Sequence, residues 1–166
     1  MNSKARAALV LTAFFVFATG NMRVTCAAPP ADACSLLTPA QVSAALGVPV
    51  AGKALGPKSC IWVQTDVKPG SPRRRVFLVM LLPLGYSQGY VVAKMQNAPT
   101  SATHVGGLGD DAYYLAMTSV HKYMELRVKK GTVAFGIRVQ RSGTPFTPDQ
   151  IKAKEKTLAQ DVLAKM

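Results

Sequence analysis

Cysteine and histidine are scarce in this chain. Its 166 residues hold three of the first and two of the second. Three cysteines are too few for a disulfide-rich scaffold. Cys34, Cys60, His104 and His121 include no closely spaced ligand pair, so no structural zinc site is expected. Carboxylates are few as well: Asp and Glu total 8 against 20 Lys and Arg, for a formal charge of +12. No helix-turn-helix, zinc-finger or RNP pattern appears, so the positive charge is not read as a nucleic-acid site. Long apolar runs are also missing. The uncharged stretch from Ala7 to Ala18 is well short of the roughly 20 apolar residues that a membrane-spanning helix needs. What remains is ordinary globular material, 49% hydrophobic and 17% charged, of a length that suits one domain.

The N-terminus reads as an export signal. Lys4 and Arg6 precede the apolar run from Ala7 to Ala18, and small residues at the needed spacing follow at Thr25-Cys26-Ala27 and at Cys26-Ala27-Ala28, the second of which would leave Pro29 first in the mature chain. Residues 1–27 are therefore assigned to a signal peptide and 28–166 to one mature domain, periplasmic or secreted. Cys26 supports an alternative, in which that cysteine is acylated and anchors the protein to a membrane. Arg23 and Thr25 fit a lipidation site poorly. Removing Lys4, Arg6 and Arg23 leaves 17 basic and 8 acidic residues, so the mature chain still carries +9.

Cleavage leaves Cys34 and Cys60. An even count in an oxidising compartment reads as one disulfide, the alternative being two free thiols. Thr38-Pro39-Ala40-Gln41 has the residues of a capping box with Pro at the first helical position, and Gly47 supplies a stop. Cys60 to Gln64 and Val76 to Leu82 read as strands, Tyr86 to Met95 as a short helix, and Ala98 to Asp111 as a Gly-rich loop. Strands are predicted over Ala112 to Met117, Tyr123 to Lys129 and Thr132 to Gln140. A turn at Lys130-Gly131 would pair Val128 with Val133 and Leu126 with Phe135, on one apolar face. Of Tyr113 and Tyr114, one should be buried and one exposed. Thr147-Pro148-Asp149-Gln150 starts a last helix running to Leu163, with Ile151, Leu158 and Val162 inward. The sum is an α+β protein: an antiparallel sheet with helices packed on one face.

Gly107-Leu108-Gly109-Asp110-Asp111-Ala112 formally fits the dinucleotide fingerprint, but it opens a strand rather than a helix. Gly107, Gly109 and Asp110 are read as a structural turn. His104 and His121 have no patterned acidic partner, and no catalytic residue, cofactor or metal is assigned. Arg73, Arg74 and Arg75 with Lys129 and Lys130, joined by Arg127 and Arg138, are the candidates for an anion or partner surface.

Three motifs together resemble a known group. They are Cys34-Ser35-Leu36-Leu37-Thr38, Cys60-Ile61-Trp62, and Gly107-Leu108-Gly109-Asp110-Asp111-Ala112-Tyr113. The chain is similar to exported proteins of unknown function, many of them lipoproteins, of actinobacterial envelopes. That resemblance implies a Cys34–Cys60 bridge and a sandwich similar to the PsbP-like fold, and it carries over no catalytic residue. The expected role is a non-enzymatic module binding a protein or an anionic envelope component. The alternatives are a small-ligand carrier, or a hydrolase with dispersed catalytic residues.

Overall fold

The computed structural model describes residues 32–81, 85–88, 102–117, 123–140 and 146–166. Seven antiparallel strands form one open sheet in the order β1-β2-β3-β7-β6-β5-β4. The strands are β1 (Val50–Gly56), β2 (Ser59–Gln64), β3 (Arg75–Leu81), β4 (Ala102–His104), β5 (Asp111–Met117), β6 (Tyr123–Lys130) and β7 (Val133–Val139). Helices α1 (Pro39–Leu46) and α2 (Pro148–Leu163) pack together over one face, so the architecture is α+β with helices on one side of the sheet.

Both helices begin as their sequences dictate. The Thr38 and Thr147 hydroxyls accept from the Gln41 and Gln150 N–H groups, and each glutamine side chain accepts from its cap residue in return. Gly47, at φ +68°, ends α1 in the left-handed region. Under the helices lies the main core. Val76, Leu78, Leu126, Val128, Phe135, Ile137 and Val139 point up from the sheet, and Val42, Leu46, Ile151, Leu158 and Val162 point down.

The disulfide joins Cys34, in a 3-10 turn at Ala33–Ser35, to Cys60 on β2, with Cα atoms 5.1 Å apart. It ties the entry of the domain to the sheet. A disulfide is compatible with a location outside the cytosol.

The structure corrects several expectations. The β6–β7 turn is Gly131-Thr132, not Lys130-Gly131, so Leu126 pairs with Ile137 and Val128 with Phe135. Moving the turn by one residue shifts each partner by two, which leaves every side chain on its expected face. Tyr113 and Tyr114 are both buried, 1% and 7% exposed, because both faces of β5 are covered. The expected loop over Ala98 to Asp111 contains β4. β1 was not foreseen: Val50–Gly56 is an exposed edge strand with no apolar alternation. Of the helix expected over Tyr86 to Met95, residues 85–88 form a helical turn and 89–95 lie outside the described residues.

Candidate functional site

The sheet face away from the helices carries the polar chemistry. Strand alternation puts Asp111, Tyr113, Glu125, Arg127 and Arg138 there. Gly136 makes the space: a Cβ on it would lie 2.7 Å from Glu125 Oε1. Arg127 Nε donates to Glu125 Oε1 at 2.8 Å, and both side chains are 13% exposed. Arg127 also donates to the Gly85 carbonyl and bonds the Tyr113 hydroxyl. Burial works against the guanidinium's charge, but Glu125 and Tyr113 outweigh it and hold its pKa above the usual value. Burial raises the Tyr113 phenol, and Arg127 pulls the other way.

This network fastens the turn at 85–88 onto the sheet. Tyr113 Oη donates to the Tyr86 carbonyl at 2.8 Å, and Tyr86 Oη donates to Asp111 Oδ2 at 2.7 Å. The two rings meet edge to face at 5.0 Å. Asp111 Oδ1 lies 3.3 Å from His104 Nε2, on a largely exposed rim. His104 thus has an acidic partner across the β4–β5 pair, which the sequence did not show.

On the β1–β3 half the same face changes character. Register places Lys53, Ile61, Phe77 and Arg138 in one row, and Ala51, Val63 and Arg75 in the next. Ile61, Val63, Phe77 and Val79 are half-buried, and the Arg138 guanidinium sits 4.7 Å over the Phe77 ring. β1, β2 and β3 contain no carboxylate.

The expected basic surface is divided. Arg73 is exposed. Arg74 turns to the helix side, donates to the Leu46 carbonyl at the end of α1 and lies 5.3 Å from the Phe146 ring. Arg75 belongs to the open face. Lys129 and Lys130 sit at the other end of the sheet, because β3 and β7 are antiparallel and Lys130 pairs with Val133. Six residues of β7 separate the two groups, roughly 20 Å. Lys130 donates to the Leu163 carbonyl at the C-terminus of α2. Arg127 is committed to Glu125, and Arg138 lies beside Phe77.

Gly109 and Asp110 form a staple on the β6–β7 turn, and Gly107, at φ +77°, turns the chain just before them. The Asp110 N–H donates to the Lys129 carbonyl at 2.8 Å, and its carboxylate accepts from the Gly131 N–H at 2.6 Å. Leu108 between the glycines is buried in the main core. Cys26 and His121 lie outside the described residues.

Two features escaped the sequence reading. Glu155 is fully buried under α2, with Oε1 accepting from the Val139 N–H at 2.8 Å and Oε2 without a partner among the described residues. Its spacing from Ile151 and Leu158 places it on the buried stripe, which is the signal that could have found it. Gly85-Tyr86-Ser87-Gln88-Gly89 fits the G-x-S-x-G pattern of a nucleophile elbow. Ser87 is exposed on the helical turn and donates to no base among the described residues. The sheet is antiparallel, unlike the strand-to-helix setting in which that pattern acts.

An open groove of about 530 Å³ runs between the helices, lined by Gln41, Ala44, Ala45, Phe146, Lys154 and Asp161 among others. Among the described residues, no group of three metal-ligating side chains occurs and no helix is long and apolar enough to cross a membrane. The chain matches no protein-family model, no curated protein and no solved structure.

Proposed function

We propose that this chain is an exported, non-enzymatic binding module that recognises an anionic component of the cell envelope. The supporting observation is how its charges are arranged. Asp32, Asp66, Asp110, Asp111, Glu125 and Glu155 each accept a hydrogen bond from within the chain. Lys53, Lys58, Lys68, Arg73, Lys129 and Lys156 have no carboxylate partner among the described residues. The acids are engaged internally, whereas these cations are left for solvent or a partner. Such a surface attracts polyanions with a strength that falls as salt screens it.

The test is capture from envelope extract on the immobilised processed chain, at low and high salt. Anionic lipid or glycan retained at low salt and released at high salt supports the reading. Retention indifferent to salt, or no retention, contradicts it.

A hydrolase is the second reading. It is favoured by one observation: the turn carrying Ser87 is clamped through Tyr86 to Asp111, the acid that also holds His104. Turnover of short-chain p-nitrophenyl esters, abolished by Ser87→Ala, would establish it. Turnover absent from the native chain, or kept in Ser87→Ala, removes it.

A further inference from the structure

The groove between α1 and α2 carries opposite charges at its two ends. Lys154 of α2 reaches the last turn of α1, where its Nζ donates to the Ala45 carbonyl at 2.5 Å, and Lys165 reaches Ser35, ahead of that helix. The two helices therefore run antiparallel. Gln150, Lys154, Thr157 and Asp161 follow one another at about one-turn spacing on one face of α2, and all four line the groove. Phe146 and Lys154 mark the end beside the C-terminus of α1, and Gln41 and Asp161 mark the other.

The first end is cationic. An ammonium has three donors, so the bond to Ala45 leaves Lys154 two. Its Nζ lies 4.2 Å from the centre of the Phe146 ring, and the Arg74 guanidinium lies 5.3 Å from the same ring. Neither cation pairs with a carboxylate among the described residues. Gln150 turns its Oε1 back to the Thr147 N–H, so its amide group is a further donor.

The second end is anionic. Asp161 is half-buried, and of the 8 acidic side chains it alone has no hydrogen bond or ion pair among the described residues. A carboxylate partly removed from water is best stabilised by a donor that carries charge. Thr157, one turn earlier, donates to the Ala153 carbonyl, so its oxygen can still accept. Between the ends lie Ala44, Ala45 and Ala153, small enough for an extended chain to rest on them. Lys154 and Asp161 are seven residues apart on the helix, about 10 Å. An extended peptide advances about 3.3 Å per residue, so roughly three residues cover that distance.

We propose that this groove binds a short linear peptide of about three residues by both of its ends. The α-ammonium sits on Asp161 and Thr157, and the terminal carboxylate sits on Lys154 and Gln150. Gln41, whose Oε1 is held by the Thr38 N–H, offers its amide group to a backbone carbonyl of the peptide. The proposal concerns a different ligand from the anionic component above and does not rest on that reading.

The experiment is a nitrogen-15 NMR titration of the processed chain with trialanine, N-acetyl-trialanine, trialanine amide and pentaalanine. Trialanine is expected to shift the Ala45, Ala153 and Lys154 amide signals. Acetylation or amidation, each of which removes one charged end, should weaken binding about ten-fold or more. Asp161→Asn should weaken trialanine by a similar factor and leave N-acetyl-trialanine unchanged, because the group that Asp161 holds is already gone. That unchanged arm, together with an unaltered melting curve, separates lost binding from lost fold. No shift in the groove with millimolar trialanine would overturn the proposal. So would equal losses for both peptides in Asp161→Asn, or N-acetyl-trialanine binding as well as trialanine. Pentaalanine binding as tightly as trialanine would overturn the two-ended grip. Trialanine carries no net charge, so its failure to bind would leave salt-sensitive capture of an envelope anion standing.

Discussion

At the scale of single residues, the open face and the core ask different things of their charges. Glu125 is half-buried, and its carboxylate accepts from Arg127 Nε at 2.8 Å. Glu155 accepts only from the Val139 N–H among the described residues. Burial pushes its carboxyl up to about 8, and Glu125 adds to the rise, while the Val139 N–H, Arg138 and Lys152 oppose it. Glu155 in turn adds to the upward push that burial gives the Tyr114 phenol. The folded chain then holds a proton that the unfolded chain releases near its ordinary value of 4.5. The stabilisation from this proton is complete below about pH 4.5 and is lost progressively until about pH 8. Glu155→Gln should remove that slope, which chemical denaturation at pH 5, 7 and 9 would show. It should gain on the native chain by a few kcal/mol at pH 9. The two turn glycines also differ. Gly107, at φ +77°, has open space around it, and Gly109, at φ +56°, has none, since a Cβ there would overlap the Lys129 carbonyl. Gly107→Ala should cost about 1 kcal/mol for its backbone alone, and Gly109→Ala clearly more. Melting curves of the two variants compare them directly.

At the scale of elements, what could be read from the sequence was what local chemistry determines. Thr38 and Thr147 announce their helices because a capping box closes within four residues. The faces of β6 and β7 were legible because Leu126, Val128, Phe135 and Ile137 alternate with polar or small neighbours. Their register was not. The turn at Gly131 is held by Asp110, a residue 21 positions away, and no local pattern contains that bond. Tyr114 was unreadable for a similar reason: its hydroxyl donates to the Lys152 carbonyl on a distant helix. The candidate surface suffered most. Arg73, Arg74 and Arg75 are contiguous in sequence but diverge at the start of β3, and only the fold shows that the Arg75 carbonyl meets the Gln140 N–H. The disulfide also acts on an element, tying the first turn to β2 across 26 residues. In the chain-entropy view such a loop contributes roughly 3.5 kcal/mol. Cys34→Ser/Cys60→Ser should lose about that much stability by chemical denaturation and keep the native circular dichroism. No loss would mean that packing alone holds the entry turn.

At the scale of the whole molecule, residues 28–166 carry a net charge of +9, which repels copies of the chain from one another and attracts anions. Among the described residues, the helix side holds the main core and an open groove between the helices, and the other sheet face carries Arg138, Arg75 and Lys53. That picture requires the chain to work outside the cytosol, where its thiols oxidise and envelope anions are within reach. The most direct test is intact mass, without reductant, of the protein recovered from fractionated cells. The account predicts a chain outside the cytoplasm that begins after Ala27, two hydrogens lighter than its reduced form and inert to alkylation. A full-length cytoplasmic chain whose Cys34 and Cys60 both react with alkylating reagent would contradict it.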